Sequence, residues 1–166
     1  TLDALTAVPE VWSKTVLLIN FDENDGYFDH LPSPSAPSPN GDGSYAGKTT
    51  LSDSAMGPEY FTHAAPLGSG GQPKADGRVY GPGPRVPLYV ISPWSRGGWV
   101  SSQAFDHTSV LRFLETRFGV QEPNISAFRR AVCGDLTSAF NFANPNNETL
   151  PTLAGRTTRG GADRLR

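Results

Sequence analysis

The middle of this chain is too rich in glycine and proline to form long regular elements. The sequence has 166 residues, including 18 Gly and 15 Pro, and 23 of these 33 lie between Pro32 and Gly98. Both residue types favour turns and interrupt helices and strands. We therefore predict a long loop over 32–84, a length that is typical of a functional or a disordered segment.

An apolar segment precedes this loop, and another follows it. The first, TVLLINF at 15–21, is short, continuously apolar and partly β-branched, which is typical of a strand buried on both faces. The second, VPLYVIS at 86–92, predicts a strand that tolerates Pro87 near its start. Because two strands cannot form a stable sheet of this kind alone, we expect both to belong to a larger, mostly parallel sheet.

Helices are predicted on either side of these strands. Residues 1–12 can form a short helix that stops at Pro9. Asp106 can cap a helix that runs to Gly119, because apolar residues recur at near-helical spacing between them. A further short helix is predicted over 126–133. Together with the two strands, these helices indicate an α/β fold.

The overall composition argues against several classes of protein. The net charge is −2, from 14 basic and 16 acidic residues, which argues against a non-specific nucleic-acid-binding protein. The best apolar segment has the length of a strand, well short of the roughly 18 residues of a membrane-spanning helix. The single Cys133 excludes an intrachain disulfide. The sequence also lacks a GxSxG elbow, a P-loop and a dinucleotide-binding fingerprint.

A cluster of four carboxylates and a histidine follows the first strand within nine residues: Asp22, Glu23, Asp25, Asp29 and His30. Ligands in open α/β sheets bind beyond the carboxyl ends of strands. Packing carboxylates there is costly unless a cation or hydrogen-bond donors compensate. Oxygen ligands suit Mg²⁺, Ca²⁺ or Mn²⁺, and a histidine adds Zn²⁺ and Fe. The alternative is a solvated acidic turn, because Asn-Asp-Gly is a good turn sequence by itself.

Two further histidines are candidates for the same chemistry. His107 stands at a predicted helix start, where the helix macrodipole favours the neutral imidazole that can bind a metal or act as a base. His63 lies in the long loop. For each of them, a hydrogen-bonded structural role is the alternative.

Three segments, in this order along the chain, resemble the bacterial phospholipase C and acid phosphatase phosphoesterase family. They are KTVLLINFDENDGYFDHLPSP from Lys14, GPGPRVPLYVISPWSRGGWVSSQAFDHTSVLRFLETRFG from Gly81, and EPNISAFRRAVCGDLTSAFNF from Glu122. The similarity is greatest to the phosphocholine-preferring phospholipases C. It implies an alkaline-phosphatase-like three-layer sandwich with a central, mostly parallel sheet.

The resemblance also implies roles for individual residues. It makes Asp22 and Glu23 ligands of a divalent metal ion whose identity stays open. The segment that follows shapes the same pocket, which makes Asp25, Asp29 and His30 substrate-binding residues. The Asp-His-Thr-Ser segment resembles one that contacts metal or phosphate in the superfamily, so His107 is the expected catalytic residue.

The activity implied by the resemblance is metal-dependent hydrolysis of a phospholipid, with release of a phosphorylated head group such as phosphocholine. The family's upstream Glu-Asn-x-x-Phe-Asp-His-Tyr-Phe-Gly motif and its nucleophile do not occur here. We therefore expect 1–150 to correspond to the C-terminal portion of the catalytic domain, inactive without an upstream N-terminal half. The Arg- and Gly-containing stretch 151–166 is expected to be a linker or a disordered tail.

Two alternatives stay open at this point. The chain could belong to an acid phosphatase of the same family that acts on soluble phosphomonoesters. It could also be a non-catalytic fragment that only forms its sheet with an N-terminal partner. The resemblance further implies a secreted or periplasmic protein. From the charge balance and the short apolar runs, we expect neither a nucleic-acid partner nor a transmembrane segment.

Overall fold

The computed structural model describes residues 2–62, 75–97 and 99–145. The predicted tail at 151–166, part of the long loop and His63 lie outside the described residues. The helices and strands of the described part are α1 (Leu2–Thr6), α2 (Pro9–Trp12), β1 (Leu17–Asn20), β2 (Ser38–Pro39), β3 (Tyr45–Ala46), α3 (Asp53–Met56), β4 (Leu88–Ile91), α4 (His107–Phe118) and α5 (Ala127–Val132). Two short 3₁₀ helices lie at Gly57–Glu59 and Thr137–Ala139. The described part is therefore mixed α/β with much irregular structure, as predicted.

The two predicted strands exist and pair with each other. Leu17 of β1 lies opposite Ile91 of β4, and Asn20 lies opposite Leu88, so the pair is antiparallel. The expectation of parallel strands is therefore wrong for these two. An apolar run predicts a strand and says nothing about its direction, and antiparallel edge strands are common on otherwise parallel sheets.

One face of this strand pair is open to solvent in the described part of the chain. Ile19 and Tyr89 lie opposite each other, and their exposed fractions are 44% and 54%. The exposed ring of Phe21 tilts against that of Tyr89, with 6.3 Å between the ring centroids. The expectation that the first strand is buried on both faces is therefore wrong for the described residues.

The described part of the long loop folds back onto α5. Its regular structure is limited to β2 and β3, which pair antiparallel, and to α3 with the 3₁₀ turn that follows it. Ala36 and Met56 from this loop form a buried cluster with Phe128 of α5. Glycine and proline thus prevent long elements here without preventing a packed core.

The predicted helix starts and ends are largely confirmed. Asp106 is the N-cap of α4, and its backbone N–H donates to Ser109 Oγ at 3.0 Å. The helix ends at Gly119, whose φ of +67° gives it the left-handed conformation common at helix ends. Ser126 caps α5. The first helix ends ahead of Pro9 as predicted, since α1 stops at Thr6 and Val8 is extended. Pro9 then opens the separate helix α2, a position that proline favours.

None of the described helices is both long and apolar enough to cross a lipid bilayer.

Candidate active site

A cleft of about 650 Å³ lies where β1 ends and β4 begins. Its lining combines three carboxylates with three aromatic rings, namely Glu23, Asp25, Asp29, Phe21, Tyr27 and Phe28. Three of the predicted site residues therefore lie on one cleft at a strand end. This is where a ligand site is expected in an α/β sheet.

A tight turn closes the acidic segment directly after the strand. Asp25 and Gly26 both have positive φ, at +53° and +75°, and Tyr27 N–H donates to the Asn24 carbonyl at 3.0 Å. Two positive φ values at the centre of a hydrogen-bonded turn define type I′, for which Asp-Gly is a preferred sequence. The predicted turn is thus present. Asp22 and Glu23 lie just before it, with exposed side chains.

Asp29 binds Arg85 across the cleft. Its carboxylate accepts hydrogen bonds from Arg85 Nε at 2.8 Å, from Arg85 Nη2 at 2.9 Å and from the Arg85 backbone N–H at 3.0 Å. These side-chain and backbone hydrogen bonds hold the pKa of Asp29 well below its usual value. The pair ties the acidic loop to the segment that leads into β4. The exposed His30 imidazole lies beside it, with Nδ1 at 3.8 Å from Asp29 Oδ1.

His107 reaches the same strand end from α4. Its Nε2 lies 2.8 Å from the backbone carbonyl of Phe21, the residue before Asp22. A carbonyl oxygen can only accept, so Nε2 carries the hydrogen and, in the neutral ring, Nδ1 carries the lone pair. The structure therefore brings the first two of the three segments that resemble the family together at one point.

The donor set for a metal ion is incomplete in the part of the chain that the structure describes. Asp22 and Glu23 supply carboxylate oxygens, which are the chemistry that hard divalent cations require. Among residues 2–62, 75–97 and 99–145, however, no group of three or more His, Cys, Asp or Glu side chains lies close enough to hold a metal ion. The two carboxylates fit a metal site as a part of its ligand set.

A buried charge network at the start of α4 is not revealed by the sequence. Arg129 Nη1 donates to Asp106 Oδ2 at 2.8 Å, and Arg129 Nε donates to Glu59 Oε2 at 3.3 Å. The Asp106 carboxylate also accepts from Thr108 Oγ1 at 2.6 Å, and Ser126 Oγ donates to Glu59. The local sequence pattern identifies Asp106 and Ser126 as helix caps. It does not reveal Arg129, which lies 23 residues from Asp106 and 70 residues from Glu59.

This network keeps Asp106 charged in a place with little water. Only 4% of the Asp106 side chain and 3% of the Glu59 side chain are exposed, against 22% for Arg129. Burial acts to raise the pKa of Asp106, but hydrogen bonds from Thr108 and Arg129 outweigh it and hold the pKa below its usual value. Burial likewise opposes the charge on Arg129, and the carboxylates of Asp106 and Glu59 raise its pKa nonetheless.

Comparison with known proteins shows which family this chain belongs to. A sequence model described as the phosphoesterase family matches residues 1–121. The chain is 66% identical over 152 residues to a non-hemolytic phospholipase C of Pseudomonas aeruginosa, an alignment that covers 92% of this chain and 20% of that protein. It is 50% identical over 141 residues to a hemolytic phospholipase C of the same species, covering 85% and 17%.

A mycobacterial relative gives the same result. The chain is 44% identical over 156 residues to phospholipase C A of Mycobacterium tuberculosis, covering 92% of this chain and 26% of that protein. The chain thus spans only 17% to 26% of the length of these relatives. Because the family model covers well over half of the sequence, the chain belongs to the phosphoesterase family.

Proposed function

We propose that this chain forms part of the catalytic domain of a phospholipase C, which cleaves the phosphodiester bond of a phospholipid and releases the phosphorylated head group. The observation that carries the proposal is the contact between His107 and the carbonyl of Phe21, because it brings two of the three family-like segments together beside the acidic cleft. The identity of 66% to a phospholipase C of Pseudomonas aeruginosa supports the reaction class.

In this proposal, Asp22 and Glu23 hold a divalent metal ion with further ligands from other parts of the enzyme. Their position at the exposed end of β1 and their hard oxygen donors support this role. A bound divalent cation supplies Lewis-acid stabilisation of the charge that develops on phosphoryl oxygens. The metal's identity stays open, since carboxylates alone do not select among Mg²⁺, Ca²⁺, Mn²⁺ and Zn²⁺.

The remaining side chains of the cleft bind and orient the substrate. His107 presents the lone pair of Nδ1, which can accept a proton or a hydrogen bond at the phosphoryl group. Asp25 lines the cleft and the exposed His30 lies next to Asp29, so both can supply polar contacts, and Asp29 fixes the cleft's shape through Arg85. Aromatic rings beside carboxylates favour a cationic head group, and phosphocholine carries a quaternary ammonium.

The uncovered apolar surfaces support a role as part of a larger domain. The open face of the β1–β4 pair bears Ile19, Phe21 and Tyr89. We propose that upstream parts of the same enzyme cover this face and complete an alkaline-phosphatase-like three-layer sandwich. Secretion to the periplasm or the medium is part of the same proposal, and fractionation of the producing cells tests it.

Metal content is the sharpest test of the proposed site. In the full-length enzyme, Asp22→Asn and Glu23→Gln should each lower bound metal below one equivalent and lower kcat by about 100-fold or more. Asp42→Asn is the matched control, because Asp42 is an exposed acid in the separate turn at 40–44. Full metal occupancy in both cleft variants would refute the assignment.

Substrate choice separates phospholipase C from the alternative acid phosphatase. The enzyme should hydrolyse p-nitrophenyl phosphorylcholine, a diester, faster than p-nitrophenyl phosphate, a monoester. The reverse preference would favour the acid phosphatase. The same assay also tests whether the 166-residue chain is an inactive fragment. The chain is assayed alone and after mixing with an upstream segment, and turnover that appears only on mixing would place further catalytic groups upstream.

A further inference from the structure

Arg129 connects three parts of the chain that are distant in sequence. Its guanidinium donates to Asp106 at 2.8 Å, to Glu59 at 3.3 Å and to the carbonyl of Gly81 at 3.3 Å. It extends from α5, so it links that helix to the start of α4 and to two points of the long loop. Because both carboxylates are almost fully buried, breaking either contact leaves a charge with little access to water.

Asp106 is held from two sides by these contacts. On the α4 side, its backbone N–H donates to Ser109 Oγ at 3.0 Å, and its carboxylate accepts from Thr108 Oγ1 at 2.6 Å. On the other side, it accepts from Arg129. The first turn of α4 therefore cannot shift relative to α5 without breaking a buried ion pair.

The residue placed by this first turn is His107. It directly follows Asp106, and its Nε2 donates to the carbonyl of Phe21 at the end of β1. A displacement of about 1 Å in a catalytic group can lower a rate by about 100-fold. We propose that Arg129 is a positioning residue, which acts through Asp106 to hold His107 against the end of β1. This inference rests on the proposed function, because it concerns the residue to which that function assigns a role.

The neighbouring Arg130 provides a matched control. It also extends from α5 and pairs with a carboxylate of α4, since Nη1 and Nη2 donate to Glu115 at 2.9 Å and 2.8 Å. Glu115 lies in the second half of α4, eight residues after His107. Removing Arg130 thus removes an ion pair between the same two helices without touching the helix start.

The test is a set of double-mutant cycles in the full-length enzyme. Asp106→Asn, Arg129→Met and Arg130→Met are each made alone and combined with His107→Ala, and kcat, KM and bound metal are measured. We expect Asp106→Asn and Arg129→Met to lower kcat about tenfold or more with KM changed less than about threefold, whereas Arg130→Met changes kcat less than about threefold. In the His107→Ala background, Arg129→Met and Asp106→Asn should lower kcat less than about threefold further.

Asp106→Asn keeps the experiment decisive if Arg129→Met does not fold. Asparagine caps helices as well as aspartate and keeps an oxygen for Thr108, whereas its amide nitrogen takes the place of the oxygen that accepts from Arg129. The variant therefore removes the charge and the acceptor that Arg129 binds and leaves the cap in place. Unchanged kcat in this variant, or a loss of the same size with and without His107, overturns the positioning role. If His107→Ala itself leaves kcat unchanged, the role of His107 in the proposed function fails instead, while the metal-content test of Asp22 and Glu23 still stands by itself.

Discussion

Leu136 is buried and also has a strained backbone, and these two properties have opposite effects on stability when the residue is replaced by glycine. Its side chain has no exposed surface, and its φ of +65° places a non-glycine residue in the left-handed region. Phe128 is a useful comparison, because it is also buried but lies in α5 with ordinary helical geometry. Replacing each residue by alanine and by glycine separates the loss of burial from the relief of backbone strain.

The magnitudes predict a different pattern at the two positions. Truncation to alanine costs about 3–5 kcal/mol at both sites because a buried side chain is lost. At Phe128, glycine costs about 2 kcal/mol more than alanine, from about 1 kcal/mol of helix propensity and about 0.8 kcal/mol for the lost methyl group. At Leu136, glycine also costs more than alanine, but it relieves about 1–2 kcal/mol of strain in the left-handed backbone. The unfolding free energies of the alanine and glycine variants should therefore agree within about 1 kcal/mol.

Hydrogen exchange of the peptides that span 126–140, followed by mass spectrometry in the full-length enzyme, measures these differences as local opening free energies. A gap of 2 kcal/mol between alanine and glycine corresponds to about a 30-fold difference in exchange rate at Phe128. At Leu136 the two rates should differ less than about fivefold. A 30-fold gap at Leu136 as well would show that its backbone carries no strain, and the reasoning would be refuted.

Three further predictions concern acid stability, thiol reactivity and a helix end. Hydrogen bonds from Arg130 are the main cause that lowers the pKa of Glu115 to about 2. The charged Glu115 therefore stabilises the fold above its usual pKa, and this contribution is lost as the pH falls towards 2. In urea unfolding, the loss of stability between pH 7 and pH 3 should be smaller in Glu115→Gln than in the unchanged protein. Burial leads the causes that raise the pKa of Cys133 to about 11, so iodoacetamide at pH 8 should label it only after unfolding, and rapid labelling of the folded enzyme would contradict this. Gly119 has φ of +67° and open space around it, so Gly119→Ala should cost about 1 kcal/mol from backbone strain alone. Gly41 also has open space around it but no positive φ, so Gly41→Ala should be neutral or slightly stabilising in the same thermal unfolding assay.

Local signals in the sequence predict α4 and α5 well, but not α3 in the long loop or α2 as a separate helix after α1. The helix at α4 could be placed because its start, its apolar spacing and its end are all encoded within 106–119. The strands β1 and β4 could be placed from their apolar runs, but their direction and exposed face could not, and the short strands β2 and β3 have no such run. Pairing direction depends on which segments meet in space, and exposure depends on what covers the sheet, so neither is written in a local pattern.

The candidate site divides in the same way. The acidic turn after β1 follows from its Asn-Asp-Gly sequence, and its position beyond a strand predicts a site. The partners of Asp29 and Asp106 could not be predicted, because Arg85 and Arg129 lie 56 and 23 residues away. The sequence around an arginine looks the same whether its side chain is solvated or buried in an ion pair, so only the folded structure distinguishes the two cases.

The exposure of Asp22 and Glu23 bears on the proposal that they hold a metal ion. Two like charges 4 Å apart repel each other by about 1 kcal/mol in water, but by about 4 kcal/mol in the lower effective dielectric near a protein surface. Covering the cleft with further protein therefore raises the cost of keeping both carboxylates charged, unless a cation enters with the cover. In the proposed enzyme, metal binding and covering of the cleft thus favour each other, whereas in the buried network the guanidinium of Arg129 itself supplies the positive charge for Asp106 and Glu59.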